Sequence, residues 1–519
     1  MAASSSSSRF YDEEDEEPSS KLTFRNELAC SLKIAVPLAL ANLLERVTLW
    51  VTLALVGQHD GAAMLGPASL ASSVNNVLGT SVQIGLSLAV QTLASQANGA
   101  GDPKALSLAL QRALPIAVVF SVPVVTVLLT LGPILHALGR PADVCAAASY
   151  YALTILPVSA LTGMQRAMTS WLASMQLARP LLWINIVIVP LHALLAFLLV
   201  YFTPLGYLGA GLSMSIQCAL RCAITYAFIS RSARTAGAWR GFHLKEAFSG
   251  WGSYLRIALP GVLFLAEFWV GEFLVFTATL LPQPEAGLSA LAIYQLTNST
   301  CYQPPSGLRI AVSSRVGNAL GAGRPLAARR ALRASLLLVT LWIGVPSVIL
   351  LGFPEAWAHV FTDDTAVVDL LCRLVGWLVL YVGLDALLAV FAGALTGCGR
   401  QGLGGRLAIL SYVAIGAPTA LALAFQTPMA TVGLAAGHTL GKLIMTIVTG
   451  IAIARTNWKG ESDAAIKRVR RVLTQEPSGQ QEAQAAAAPQ PRPTPSVTEL
   501  MNADENDGRR VSDTKEIGE

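Results

Sequence analysis

Long apolar runs recur along this chain, each bounded by a short connection that carries its charge. Twelve can be counted, at residues 34–57, 64–93, 107–136, 144–170, 180–202, 207–230, 251–281, 286–312, 329–353, 365–397, 404–426 and 430–454. Each meets the ~20 residues that an α-helix needs to cross a bilayer. Lipid offers the backbone no hydrogen bonds, so such runs fold as helices that satisfy themselves. The expected fold is therefore all-α and integral to the membrane, with twelve transmembrane helices. Composition agrees: 53% of residues are apolar and only 13% charged, against about 25% charged in soluble proteins. The net charge of +5 then belongs to the connections and is no argument for nucleic acid. Several runs are long enough to imply tilt or bending, with Pro260 and Pro418 as candidate kinks.

The connections are polarised. Those after even-numbered spans are basic, with Lys104, Arg179, Arg231, Arg234, Arg240, Arg324, Arg329, Arg330 and Arg400 among them. The opposite side carries Asp60, Asp143, Glu285, Asp363 and Asp364. Cytosolic loops are enriched in Lys and Arg, so both termini are expected in the cytosol. Residues 1–30 open Ser-rich and acidic, unlike a secretory or transit peptide. They are read as a disordered tail, as are residues 456–519. Between them lie a six-helix lobe at 31–235 and a second at 236–455.

The two lobes repeat. GAGxP occurs at Gly99–Pro103 and at Gly321–Pro325, 222 positions apart, and the glycines of GYLGAG and VGLAAG, Gly209 and Gly433, align 224 apart. Six spans per half make the repeat parallel, with a pseudo-two-fold axis along the membrane normal. Transporters so built carry substrate between their halves.

Ionisable residues inside spans are costly and point to function. Glu267 lies near the centre of the seventh span and Asp385 near the middle of the tenth. A carboxylate there can hold a proton, or release it and hold a cation, but not both, which is the coupling an antiporter needs. Glu272 sits five residues beyond Glu267, about 140° round the helix, and must reach a different neighbour. Glu45 and Arg46 fall midway along the first span. Tyr294, Asn298 and Tyr302 form a stripe beside Gln295 in the eighth, and aromatic faces attract desolvated organic cations.

Order and spacing of several motifs resemble the multidrug and toxic compound extrusion (MATE) transporters, eukaryotic branch. LAEFWVGEF at Leu265–Phe273, RVGNALGAG at Arg315–Gly323, the stretches Leu55–Gly79 and Gln91–Gly101, and DALLAVFAGALTGCGRQ at Asp385–Gln401 carry the resemblance. It implies a secondary-active antiporter that expels organic cations, xenobiotics or secondary metabolites in exchange for protons, with sodium as the alternative ion. By resemblance Glu267, Asp385 and Glu272 couple protons or cations. The substrate cavity takes Glu45, Asn76, Gln91, Trp269, Tyr294, Gln295, Asn298 and Tyr302. There are departures: Gln91 stands where the family usually has Asp, Gln295 replaces an acid of some members, Thr396 replaces an Arg, and the aromatic pair is Phe268–Trp269.

Other classes fit less well. The glycine loops follow no strand and lack the Lys-Ser/Thr of a nucleotide loop, so an ion gradient drives transport and no cofactor is expected. The histidines and seven cysteines show no ligand spacing, so neither a metal site nor an enzyme is expected. A lipid-linked precursor flippase needs several mid-span cations, and almost none are read. A citrate-type organic-anion exporter of the same family needs cationic cavity residues, for which Arg46 and Lys442 are the only candidates read. The expected partners are small amphipathic or cationic molecules and the bilayer, and the protein is expected to be a monomer.

Overall fold

The computed structural model describes residues 20–474. The acidic stretch before Ser20 and the Ala/Gln/Pro-rich segment after Thr474 lie outside them. Every regular element is helical, with no strand among the described residues. Helices occupy all of the expected span positions. Ten are long and apolar enough to cross a membrane, and an eleventh is the pair Ala142–Thr154 and Val158–Ser174, bent by 41°. The eighth position holds Pro284–Cys301 and Gln303–Gly321, interrupted at Tyr302. It is less apolar because its second half carries Gln303, Arg309, Arg315 and Asn318.

The tail boundaries need correction at both ends. The first helix begins at Ser20, inside the expected 1–30 tail. The last tail was set at 456–519, yet Trp458–Thr474 is a helix. Its buried residues Ser462, Ala465, Val469 and Val472 follow the heptad spacing of one helix face. The charges between them hide that face from a composition-based reading. This helix packs on the second and third spans of one lobe and on the eighth, ninth and tenth of the other. Arg468 donates to Gln96 Oε1 at 2.6 Å, and Ser462 donates to the carbonyl of Leu320 at 2.9 Å. Burial raises the Glu461 carboxyl above its usual range, partly offset by Arg400 and Arg468 beside it.

The repeat is visible atom by atom. Thr203 caps the carbonyl of Leu199 at 2.5 Å before the sixth span, and Thr427 caps that of Leu423 at 2.5 Å before the twelfth. Gly209 lies against the Leu199 backbone, and Gly433 against that of Leu423. The residue that starts each of these spans has the same unusual backbone: Gly206 at φ 51°, ψ −128° and Ala430 at φ 45°, ψ −120°. Glycine tolerates this region and alanine is strained there, by about 1–3 kcal/mol. Ala430→Gly is therefore expected to stabilise the protein by about 1 kcal/mol, read as a raised melting temperature. No gain would mean that the turn relaxes around alanine.

The halves meet along the second and eighth spans. Asn98 Nδ2 donates to Asn318 Oδ1 at 3.1 Å, and both amides reach the carbonyl of Ser174. A Cβ on Gly99 would stand 2.0 Å from the Asn318 carbonyl oxygen, and one on Gly321 would stand 2.1 Å from that of Gln96. The two GAG turns thus cross reciprocally, each glycine against the other's helix backbone. Further bonds join Thr92 to the Thr396 carbonyl at 2.5 Å, Gln96 to that of Gly397 at 2.8 Å, and Gln401 to Thr92 at 2.6 Å. These contacts cluster between mid-span and the end that carries the Arg-rich connections, called here the basic end. Toward the other end each lobe packs on itself: Gly61–Val74 on Ala142–Thr154 and Tyr207–Arg231, and Ala266–Thr277 on Pro284–Cys301 and Ala417–Gln426. We read the space between the lobes there as a cleft.

Candidate functional site

The seventh span is broken where its carboxylate is needed. Pro260 lacks an N–H to continue the helical ladder, and the helix Trp251–Leu263 gives way at Phe264–Leu265 to a second, Ala266–Thr277. Glu267 falls in the first turn of that second helix, where the helix dipole favours negative charge.

Glu267 faces the tenth and twelfth spans. Lys442 of the twelfth, completely buried, pairs with Glu267 Oε1 and with Asp385 Oδ1, the latter at 2.7 Å. Tyr381, one turn before Asp385, donates its hydroxyl to Glu267 Oε1 at 2.5 Å. The ammonium lies 4.8 Å from the Tyr381 ring centroid and 5.6 Å from that of Tyr412, within cation–π range. Tyr412 arrives through a π-helical segment, Ile409–Gly416, just before Pro418, a distortion often found at functional positions. His438 packs its ring 5.1 Å from Tyr381 and 6.2 Å from Tyr412. The side chains of Glu267 and Asp385 remain 24% and 13% exposed, so solution in the cleft reaches the acids but not the lysine.

The eighth-span residues frame this cluster. Asn298 is buried beside Asp385. Tyr294 is buried with its ring 6.0 Å from Tyr381 and its hydroxyl on the Trp377 carbonyl. Gln295 is half-buried near Gly271, and Tyr302 stands at the break of the span. Trp269 reaches across the lobes, its indole N–H donating to Ser81 Oγ at 3.1 Å. Asn76 is exposed on a second π-helical segment, Asn75–Thr80. Two residues fall elsewhere. Glu272 is exposed and stands apart from the Lys442 cluster. Gln91 is fully buried, its amide on the Ile310 carbonyl at 3.3 Å, in the seam rather than the open cleft.

The first lobe holds a second charged cluster. Glu45 Oε1 accepts from Arg166 Nη2 at 3.1 Å and lies 3.4 Å from Arg221 Nη2. The reading that Arg46 and Lys442 were the only candidates for cationic cavity residues left out three more within the spans: Arg166 in the fourth, Arg221 in the sixth and Arg309 in the eighth. Each is the one charge in its stretch of the span, and that was the available signal. Tyr381, Tyr412 and His438 were also absent from the expected site, and Lys442 entered it only as a candidate cation for an organic-anion path. Only the lysine, a charge within the twelfth span, carried a signal in the sequence.

Two six-helix lobes around a cleft, with a carboxylate pair held by a buried lysine, define a membrane transporter rather than an enzyme. The family profile described as MatE matches this chain twice, at residues 37–198 and 261–422, one match per lobe. The chain belongs to that family of transporters. Protein DETOXIFICATION 14 of Arabidopsis thaliana is 30% identical over 455 residues, spanning 88% of this chain and 93% of the relative. A crystal structure of the eukaryotic MATE transporter AtDTX14 superimposes with a TM-score of 0.82 at 29% identity, over 86% of this chain and all of the other. An outward-facing multidrug resistance MATE transporter shares the fold, with a TM-score of 0.74 at 15% identity over 87% of this chain and 99% of that one.

Proposed function

We propose that this protein is a secondary-active antiporter that exports amphipathic organic cations, xenobiotic or metabolic, in exchange for protons. The observation that carries the reading is the sharing of one buried Lys442 between Glu267 and Asp385. Two carboxylates and one ammonium leave a net charge of −1 when no proton is bound, and the cleft then attracts a cation. One proton cancels that charge and the attraction with it. Proton and substrate thus compete for the same unit of charge, and a gradient of one moves the other.

The lobes rock about the seam so that the cluster faces one side and then the other. The basic end faces the cytosol by the bias of Lys and Arg, which puts both termini there, and the chain works as a monomer. In the present state the cleft opens away from the cytosol, where protons enter and the cation leaves.

The test is uptake of a fluorescent organic cation by proteoliposomes under an imposed pH gradient, for wild type and Glu267→Gln. Gradient-driven uptake by the wild type that falls at least about tenfold in the variant is expected. Uptake that follows a sodium gradient instead would overturn proton coupling, and equal uptake by both proteins would remove Glu267 from the mechanism.

A further inference from the structure

The Lys442 and Glu45 clusters lie within the spans. A further group of charges gathers at the basic end, where the helix Trp458–Thr474 packs on both lobes. With the second and seventh spans it encloses a cavity of about 260 Å³. Arg256 of the seventh span and Arg468 and Arg471 of the last helix line this cavity, and none of its lining residues is acidic. Leu93 of the second span, 7% exposed, gives it an apolar wall. Gly252 and Ser253 also line it. They fall in the first turn of the helix Trp251–Leu263, where the helix dipole favours an anion.

Three arginines around one small cavity repel one another, and their surroundings balance them poorly. Arg468 and Arg471 are three residues apart and share a helix face. Burial holds the Arg468 guanidinium below its usual pKa; Glu461 opposes this and Arg471 adds to it. Glu461 is itself shared with Arg400, 3.6 Å away. Gln96, which accepts from Arg468 at 2.6 Å, satisfies a donor without cancelling its charge. A tetrahedral oxyanion does both, because it accepts from several guanidiniums at once and carries the opposite charge.

We propose that Arg256, Arg468 and Arg471 form a binding site for a phosphate monoester, carried by a lipid headgroup or by a soluble metabolite. The site stands apart from the Glu267 cluster: Arg256 precedes that acid by eleven residues, about 16 Å along the span. It depends neither on what is transported nor on the driving ion. Leu93 belongs to the first lobe, and the arginines to the second lobe and the helix that follows it. The cavity is therefore complete only while the basic end is closed, and a bound phosphate favours that state.

The test is thermal unfolding of the purified full-length protein, since a ligand that binds only the folded state raises the melting temperature. One arm adds glycerol 3-phosphate to the protein in neutral detergent. The other compares nanodiscs of phosphatidylcholine with nanodiscs that also contain phosphatidic acid. A rise with glycerol 3-phosphate identifies a free phosphate ester as sufficient, and a rise with phosphatidic acid alone identifies the headgroup. A rise with neither overturns the proposal. Arg256→Gln should weaken the response about tenfold or more in apparent affinity, whereas Arg240→Gln, at the same end but outside the cavity, should respond as the wild type does. Gly252→Glu sets a carboxylate in the cavity, at a position where a Cβ meets open space. It should lose the response to either phosphate while melting no lower than Gly252→Gln, which should still respond. Equal responses by the wild type, Arg256→Gln and Gly252→Glu would overturn the site.

Discussion

Lys442→Met is expected to lose about 3–5 kcal/mol of stability at pH 8, the usual cost of removing one partner from a buried ion cluster. The ammonium is wholly buried and holds two carboxylates at once, so methionine leaves two acids facing one another without a counter-charge. Most of the loss is desolvation of those acids, not the missing attraction. Two further results follow. Lowering the pH should narrow the gap between variant and wild type, because protons can replace the missing cation. Adding Glu267→Gln and Asp385→Asn should restore much of the stability, since neutral amides need no counter-charge. Melting temperatures of the three proteins across pH check this. A single-variant loss below about 1 kcal/mol would mean that the cluster is solvated well enough to do without the lysine. Transport should be lost in Lys442→Met, because a site of charge −2 no longer returns to neutrality with one proton.

The second large effect lies at the crossing of the GAG turns. Gly321→Ala puts a methyl 2.1 Å from the Gln96 carbonyl oxygen, and Gly99→Ala puts one 2.0 Å from that of Asn318. Backbone atoms of packed helices cannot step aside as side chains do, so the helices must separate and the seam at the basic end cannot close. Both variants should lower transport by at least about tenfold, which corresponds to more than about 1.4 kcal/mol against the closed seam. Gly323 is the control. It lies in the same turn at φ 75° with open space around it, so Gly323→Asn, a residue that accepts this backbone conformation, should transport normally. If Gly99→Ala and Gly321→Ala both transport like Gly323→Asn, the seam opens without regard to that contact.

What the sequence disclosed and what it hid divide along one line. The spans were legible because hydropathy over twenty residues is a local property. The repeat was legible because the GAG turns and Gly209/Gly433 need glycine for close approach, and that need leaves a mark in sequence. Glu267 and Asp385 stood out as acids among apolar neighbours. What could not be read was pairing. Nothing in spacing says that Lys442 serves both acids, that Arg166 and Arg221 converge on Glu45, or that Gln91 turns into the seam. Those are facts of which helix faces which. Glu272 shows the same limit from the other side: as an acid in an apolar helix it looked equal to Glu267, yet the break after Pro260 aims only the first of them at the lysine.

The reciprocal crossing of the GAG turns has a consequence for how such a molecule can be assembled. A contact in which each side offers the other the same surface is isologous, the form found between identical subunits. Nothing in it depends on the two halves being joined, and a single half that carried the turn could pair with its own copy. The electrical difference between the lobes, cationic on one side and anionic on the other, is written elsewhere, in helix interiors that the seam does not touch. Charge preference and the pivot are therefore separable traits, and one can be altered without rebuilding the other.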